Sequence, residues 1–502
     1  MKTASIVAAA GFVTCALCYK PLVSSKKLQN LVTLEDLLAG SQDLQDIADA
    51  NGGNRAFGGG GHNATVDYLV KTLEELDYYD VSTQQFVELF SAATVDFTAA
   101  GTEYSAGYMT YSPSGQASGS LIQVNNLGCI VADFPAAVSG NIAFISRGEC
   151  TFAQKALAAK SAGALAAIVY NNVPGTLSGT LGGVGDYPPT VGVSKEIGDT
   201  LLAAIAAGTV AATLDVNAIQ ENRTTWNVIA ETKGGDHSNV LALGGHTDSV
   251  FAGPGINDDG SGTIGILTIA KALTKFKVKN AVRFLFWSAE EFGKLGSFHY
   301  LRTLNGTISG NASEVAKIRA YLNFDMIASP NYVLGIYDGD GSAFNFSGPP
   351  GSGTIEKDFE LFYESKGFPH VPALFTMRSD YAAFLENGIP SGGLFTGAEV
   401  LKTEEEAELF GGEAGVALDE NYHQPGDTVD NLNHEAFLLN TQSIANSVAK
   451  YALSFEGIPA VNSTLRKRHA HVQRHFGHLS ARGDYGHSHV HHGPCGESAV
   501  VA

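Results

Sequence analysis

Gly244-Gly245-His246-Thr247-Asp248-Ser249-Val250, continued by Gly255-Ile256-Asn257-Asp258-Asp259-Gly260-Ser261-Gly262, is the stretch on which the reading of this chain turns. The apolar run at 240–243 before it reads as a buried strand. The run at 264–273 after it has the spacing and length of a helix. Between them, a strand end and a glycine-rich loop present one imidazole and several carboxylates. Polar groups of this kind held between two apolar elements suit a metal ion better than they suit a core.

Outward from that point, strands and helices alternate from residue 227 onward. Strands are expected at 227–231, 240–243, 281–287, 320–325 and 332–336, and helices at 263–273, 295–304, 355–366 and 435–453. This alternation predicts an α/β fold, a mixed and mostly parallel central sheet flanked by helices, with its site beyond the carboxyl ends of the strands. Upstream, 44–48 and 64–76 have helical spacing, the Gly58–Gly61 run reads as a loop, and 81–86 reads as a strand. A Ser/Gly-rich shift at 112–120 marks a boundary. The segment after it, to about 216, offers almost no candidate catalytic group: Asp133, Arg147 and Asp186 are scattered and read as solvated. Its run Gly140-Asn141-Ile142-Ala143-Phe144-Ile145-Ser146-Arg147-Gly148-Glu149-Cys150-Thr151-Phe152, with Lys155 and Ala162-Gly163-Ala164, resembles the protease-associated domain, a non-catalytic β-rich module.

Composition bounds the rest. The chain has 502 residues, a net charge of −20 and 44% hydrophobic residues, which describes a globular protein whose acidic surface would repel nucleic acid and anionic membranes. Met1-Lys2 and the apolar residues 4–18 read as a secretory signal peptide, and no later apolar run is long enough to span a bilayer. With Cys15 and Cys18 in that signal, Cys129 and Cys150 are left able to pair in an oxidising compartment, and Cys495 is left over. Sequons at Asn63, Asn222, Asn305, Asn311, Asn345 and Asn462 agree with export. The organisation expected is a signal at 1–18, a first part of the main domain at 34–115, the inserted module at 119–217, the remainder of the main domain at 222–456, and a disordered His-rich tail at 459–502.

Three further groups lie where the predicted strands end or where late loops return. Glu290-Glu291 follows the apolar strand 282–287, Asp325 closes 321–324, and His423 lies in Tyr422-His423-Gln424-Pro425-Gly426-Asp427. Each alone has a plain structural reading as a turn, a helix start or a satisfied buried carboxylate. Together, carboxylates at the ends of apolar strands would repel one another unless a cation compensated them. Two histidines and three carboxylates are too many ligands for one catalytic zinc but suit two ions sharing a bridging carboxylate. One of the paired glutamates then remains as a base. Glu291 faces the metal and Glu290 faces the water.

These separated motifs, in this order, closely resemble the co-catalytic zinc aminopeptidases, especially secreted fungal leucine aminopeptidases and vacuolar aminopeptidase Y, which carry an inserted protease-associated domain. The resemblance runs from about residue 34 to 452. It implies two zinc ions per chain. His246 and Asp325 would bind one zinc, Glu291 and His423 the other, and Asp258 would bridge them. Glu290 would be the general base and acid, Tyr422 would stabilise the oxyanion, Asp248 would hold His246 and fix its tautomer, and Arg378 would lie near the substrate. Asp259 is left to the turn. The implied activity is removal of an apolar, leucine-like N-terminal residue from peptides with a free N-terminus, by a monomeric enzyme that is secreted or, alternatively, delivered to the vacuolar lumen. Rival readings are a non-catalytic, receptor-like peptidase homologue and a carboxypeptidase on the same fold. Many relatives have cysteines near the Tyr-His-Gln segment, whereas this chain has none there.

Overall fold

Three neighbouring strands carry the expected site residues at their carboxyl ends, and their parallel register brings those ends into line. Asp236–His246 pairs in parallel with Asn280–Trp287, placing His246 opposite Trp287. On its other side it pairs in parallel with Ile318–Phe324, with Gly244 opposite Asn323. Ser391–Phe395 continues the sheet in parallel beyond Ile318–Phe324. The computed structural model describes residues 20–173, 175–308 and 313–460. The readings placed on 1–18, Asn311, Asn462, Cys495 and the tail beyond 460 lie outside the described residues.

The fold is mixed α/β, as the alternation of elements predicts. The strand interiors are apolar on both faces, so both faces must be covered. One face packs under helices Leu34–Asp49, Gly60–Glu75, Gly262–Leu273, Ser352–Lys366 and His434–Tyr451. The other packs under Leu295–Leu304 and Tyr381–Glu386, around fully buried Trp287, Tyr321 and Phe384. Gly262–Leu273 reaches the sheet closely because Gly262 has no side chain. A Cβ there would come within 2.0 Å of the Phe324 carbonyl oxygen.

Antiparallel edges complete the sheet. Ala211–Thr232 pairs with Asn280–Trp287 at one end and with Gly115–Gln123 at the other. Along its length it pairs with Tyr79–Ala99, from Tyr79 opposite Thr232 to Ala99 opposite Ala212. This two-stranded ribbon joins the main sheet to the inserted β-rich unit. That unit holds strands Ile142–Ser146, Ala166–Tyr170 and Thr190–Val193 between helices Phe152–Ser161 and Lys195–Ala207, with its own apolar core. The ribbon is far longer than the strands expected at 81–86 and 227–231. Much of its surface is open to solvent, so its sequence lacks the apolar content that marks a buried strand. Among the described residues no helix is long and apolar enough to cross a membrane.

Candidate metal centre

His246, the last residue of its strand, has a fixed orientation. Its main-chain N–H donates to Asp259 Oδ2 at 2.9 Å, and its carbonyl accepts from Thr263 Oγ1 at 2.6 Å. Its ring Nδ1 lies 3.0 Å from the main-chain carbonyl oxygen of Asp248. A carbonyl only accepts, so Nδ1 carries a proton and Nε2 is the nitrogen turned to the centre, able to bind a metal once it has lost its own proton. There Nε2 lies 3.1 Å from Asp258 Oδ1, 3.6 Å from Asp325 Oδ1 and 4.0 Å from Glu290 Oε2.

His423 approaches from the opposite side. Its Nε2 is 2.9 Å from Glu291 Oε2 and 3.2 Å from Asp258 Oδ2. The two oxygens of Asp258 therefore face one imidazole each. The six residues expected here from sequence, His246, Asp258, Glu290, Glu291, Asp325 and His423, all converge. Two overlapping groups, His246 with Asp258 and Glu291, and His246 with Asp259 and Asp325, have their donor atoms within 4.8 Å of one another.

The donors fit divalent metal ions. Imidazole nitrogen and carboxylate oxygen are ligands that zinc accepts, and so many carboxylates in a buried site need a compensating positive charge. The strain is visible in their acidities. Burial, with Asp258 nearby, raises Glu291 above the usual carboxylate range, and burial raises Asp248 to about 7. Burial opposes a charge on His246, yet the surrounding carboxylates, Asp325 and Asp258 foremost, lift its pKa well above normal.

Several residues that hold the centre were not legible as such. Asp259 is more than a turn residue: Oδ2 accepts from His246 N, while Oδ1 accepts from Gly262 N at 2.9 Å and Met326 N at 3.2 Å. Its carboxylate thus ties together the two strand ends and the helix start, which makes it scaffold although it lies close enough to be a ligand. Asp427 accepts from Asn257 N at 2.7 Å and Asp258 N at 3.0 Å, and burial raises its pKa to about 8. Ser379 Oγ donates to Asp325 Oδ2 at 2.5 Å and accepts from Asn323 Nδ2 at 2.8 Å. Asp248 does hold His246, through its main-chain carbonyl and not its carboxylate. Its carboxylate is 3.7 Å from His246 Nδ1, beyond hydrogen-bond reach, and instead accepts from the main-chain N–H of Glu290 at 3.1 Å and of Glu291 at 3.4 Å. It holds His246 through its carbonyl and the glutamates through its carboxylate.

Ala289, Met326, Met377 and His423 have φ between +58° and +65°. Each is a site residue or adjoins one, and non-glycine residues persist in that region only where their surroundings over-determine it. For the His423 loop those surroundings are hydrogen bonds. Asp419 accepts from Asn431 Nδ2 at 3.0 Å and from Asn257 Nδ2 at 2.7 Å, and Asn421 Nδ2 donates to Asn431 Oδ1 at 2.7 Å.

At the rim, Tyr422 stacks on His423 with ring centroids 3.8 Å apart. Arg378 donates to the Tyr422 hydroxyl at 3.1 Å and pairs with Glu399 at 2.8 Å. In the inserted unit Cys129 and Cys150 form a disulfide. Asp133 is buried there, not solvated as expected, and accepts from Asn126 Nδ2 at 2.8 Å and from Ile130 N at 3.2 Å. Of the described sequons, Asn222 on the ribbon and Asn345 in a loop are exposed, while Asn63 and Asn305 are half-buried.

A strand end and a late loop that bring two imidazoles about a shared carboxylate, with a further glutamate alongside, define a metallohydrolase centre of the co-catalytic, two-metal kind. The model of peptidase family M28 matches residues 227–448, and that of the PA domain matches residues 117–201. The probable leucine aminopeptidase 2 of Aspergillus fumigatus is 58% identical over 451 residues, 89% of either chain. Leucine aminopeptidase 2 of Arthroderma otae is 54% identical over 444 residues, 88% of either chain. Identity at that level over nearly the full length settles the relationship: the chain belongs to peptidase family M28, with an inserted PA domain. Among solved structures, the aminopeptidase of an Aneurinibacillus species has 27% identity and a TM-score of 0.64, covering 85% of this chain and 95% of its own. A zinc aminopeptidase of Bacillus subtilis has 25% identity and a TM-score of 0.61, covering 84% and 95%.

Proposed function

We propose that this protein is a secreted aminopeptidase that uses two zinc ions to remove the N-terminal residue, apolar and leucine-like, from peptides. The observation that carries this reading is the carboxylate of Asp258, one oxygen 3.1 Å from His246 Nε2 and the other 3.2 Å from His423 Nε2. That is the placement of a bridging ligand. His246 and Asp325 would hold one ion, Glu291 and His423 the other. Two zinc ions held by these residues would supply a water of lowered pKa and a Lewis acid for the scissile carbonyl.

The chain's own groups do the rest. Glu290, buried and within 4.0 Å of His246 Nε2, takes the proton of the attacking water and returns it to the leaving amine. The Tyr422 hydroxyl, whose oxygen accepts from Arg378, directs its proton toward the developing oxyanion. The carboxylates at the centre attract the α-ammonium of a free N-terminus, which makes the enzyme an exopeptidase. The names of its relatives, leucine aminopeptidases and a zinc aminopeptidase, support the substrate class and the metal. Exported protein would carry glycans first at the exposed Asn222 and Asn345.

The test is a panel of aminoacyl chromogenic substrates, free and N-acetylated, assayed with and without a chelator. Turnover of the free leucyl substrate, abolished by chelation and restored by zinc, is expected. Cleavage of acetylated peptides from their carboxyl end would instead establish a carboxypeptidase, and no turnover with any metal would establish the receptor-like alternative.

A further inference from the structure

Arg55 lies in a small-residue stretch, Gly52-Gly53-Asn54-Arg55-Ala56-Phe57-Gly58, nearly two hundred positions before the metal centre in sequence. It is nonetheless among the most deeply buried large side chains of the molecule, at 0% exposure. Its guanidinium is spread over three main-chain carbonyls. One nitrogen donates to Thr247 O, the residue after His246. A second donates to Gly255 O at 2.5 Å, and Nε donates to Pro254 O at 2.9 Å, just before Asp258. Its own main-chain N–H donates to Ser249 Oγ at 2.9 Å. Burial disfavours the charge and lowers its pKa, while Asp248, Asp427, Asp259 and Asp258 favour the charge.

We infer that Arg55 is a positioning residue for the metal centre: its planar fork ties the loop leaving His246 to the loop entering Asp258, so that the ligand shared by both ions is held in place before any ion binds. Three features support it. The bonds go to carbonyls on both loops, so the side chain spans the gap between two ligands that lie twelve positions apart. The fork is rigid, and lysine, with a single nitrogen, cannot reproduce it. The cation also faces the carboxylates that metal ions would otherwise have to compensate alone. Its side-chain nitrogens donate to the carbonyls of Thr247, Pro254 and Gly255, so its action is through Asp258 and His246. This inference rests on the two-zinc reading above.

The test compares wild-type protein with Arg55→Lys and Ser249→Ala, each stripped of metal and titrated with zinc against a chromophoric chelator. Melting curves and the visible spectrum of the cobalt-substituted forms are recorded in parallel. In Arg55→Lys zinc affinity is expected to fall by roughly ten- to a hundredfold, the range for residues that support metal ligands, with an altered cobalt spectrum and an unchanged KM once fully loaded. Ser249→Ala, which leaves the Arg55 side chain in place but removes the acceptor of its main-chain N–H together with Ser249's own donation to Gly253 O at 2.8 Å, is expected to weaken zinc in the same direction by a smaller factor. It serves as the deciding variant if Arg55→Lys does not fold. Wild-type zinc affinity in the deciding variant, even with a lowered melting temperature, would overturn the inference and leave Arg55 a purely structural residue. Absence of zinc binding by the wild-type protein would instead overturn the reading on which it rests.

Discussion

Glu290 separates chemistry from metal holding at the level of single residues. It lies within the centre at 2% exposure, but the shared carboxylate and both imidazoles are arranged around Asp258 without it. Glu290→Gln is therefore expected to keep both ions and to lose on the order of 10²–10⁴ in kcat, the scale of a general base; near wild-type turnover with full metal content would remove Glu290 from that role. A second residue reports on acid stability. His62 is fully buried between Thr247 Oγ1, at 2.9 Å, and Thr225 Oγ1, at 3.3 Å. Burial, with Arg55 and His246 nearby, holds its pKa at about 3 against an ordinary 6.5. The unfolded chain then binds a proton that the folded chain does not, so stability present above pH 6.5 is lost as pH falls toward 3, at up to ~1.4 kcal/mol per pH unit. His62→Gln cannot take up that proton, and urea titrations between pH 7 and 4 should show it losing less stability than wild type; parallel losses would mean that His62 does not govern the acid transition.

What could be read from sequence at this scale was what strand patterning exposes. His246, Glu290, Glu291 and Asp325 were legible because an apolar strand that ends in a charged group needs a reason. His423 and Asp258 lie in loops with no such strand pattern, and their parts came from the resemblance to the co-catalytic aminopeptidases. Arg55 was hidden because its partners lie 192 to 200 positions away and are main-chain carbonyls, which leave no trace in sequence. Asp259 and Asp427 were hidden for the same reason, since their carboxylates accept from main-chain N–H groups. Asp427 lies within the quoted Tyr-His-Gln-Pro-Gly-Asp segment, and a carboxylate so close to a ligand was the available signal.

At the scale of elements, parallel register does the positioning. Had the strand Ile318–Phe324 slipped by one residue against Asp236–His246, Asp325 would face away from His246. The alternating strands and helices made this part of the sheet readable. The ribbon was underestimated because only short pieces of it are apolar enough to announce a strand, and pairing with a partner more than a hundred residues away extends it. In the inserted unit the Cys129–Cys150 bridge closes a loop with a sequence separation of 21. By loop-closure entropy it stabilises that unit by about 3 kcal/mol. Replacing both cysteines with serine is expected to speed hydrogen exchange in Ile142–Ser146 while leaving Asp236–His246 and zinc affinity unchanged. Loss of zinc from that variant would mean that the unit's stability is coupled to the centre.

Taken whole, the molecule is a mixed sheet in which the parallel strands Asp236–His246, Asn280–Trp287 and Ile318–Phe324 end at one place, with a ribbon carrying a second unit. The buried carboxylates at that place, held by Arg55, Asp259, Asp427 and Ser379, make sense only around cations. The central claim is that Asp258 is shared by two ions. It is tested most directly by diffraction from crystals of the zinc-loaded protein, with data collected on both sides of the zinc absorption edge. Two anomalous peaks are expected, one beside each oxygen of Asp258, the first also against His246 and Asp325 and the second against Glu291 and His423. A single peak, or two peaks that do not share Asp258, would contradict the claim.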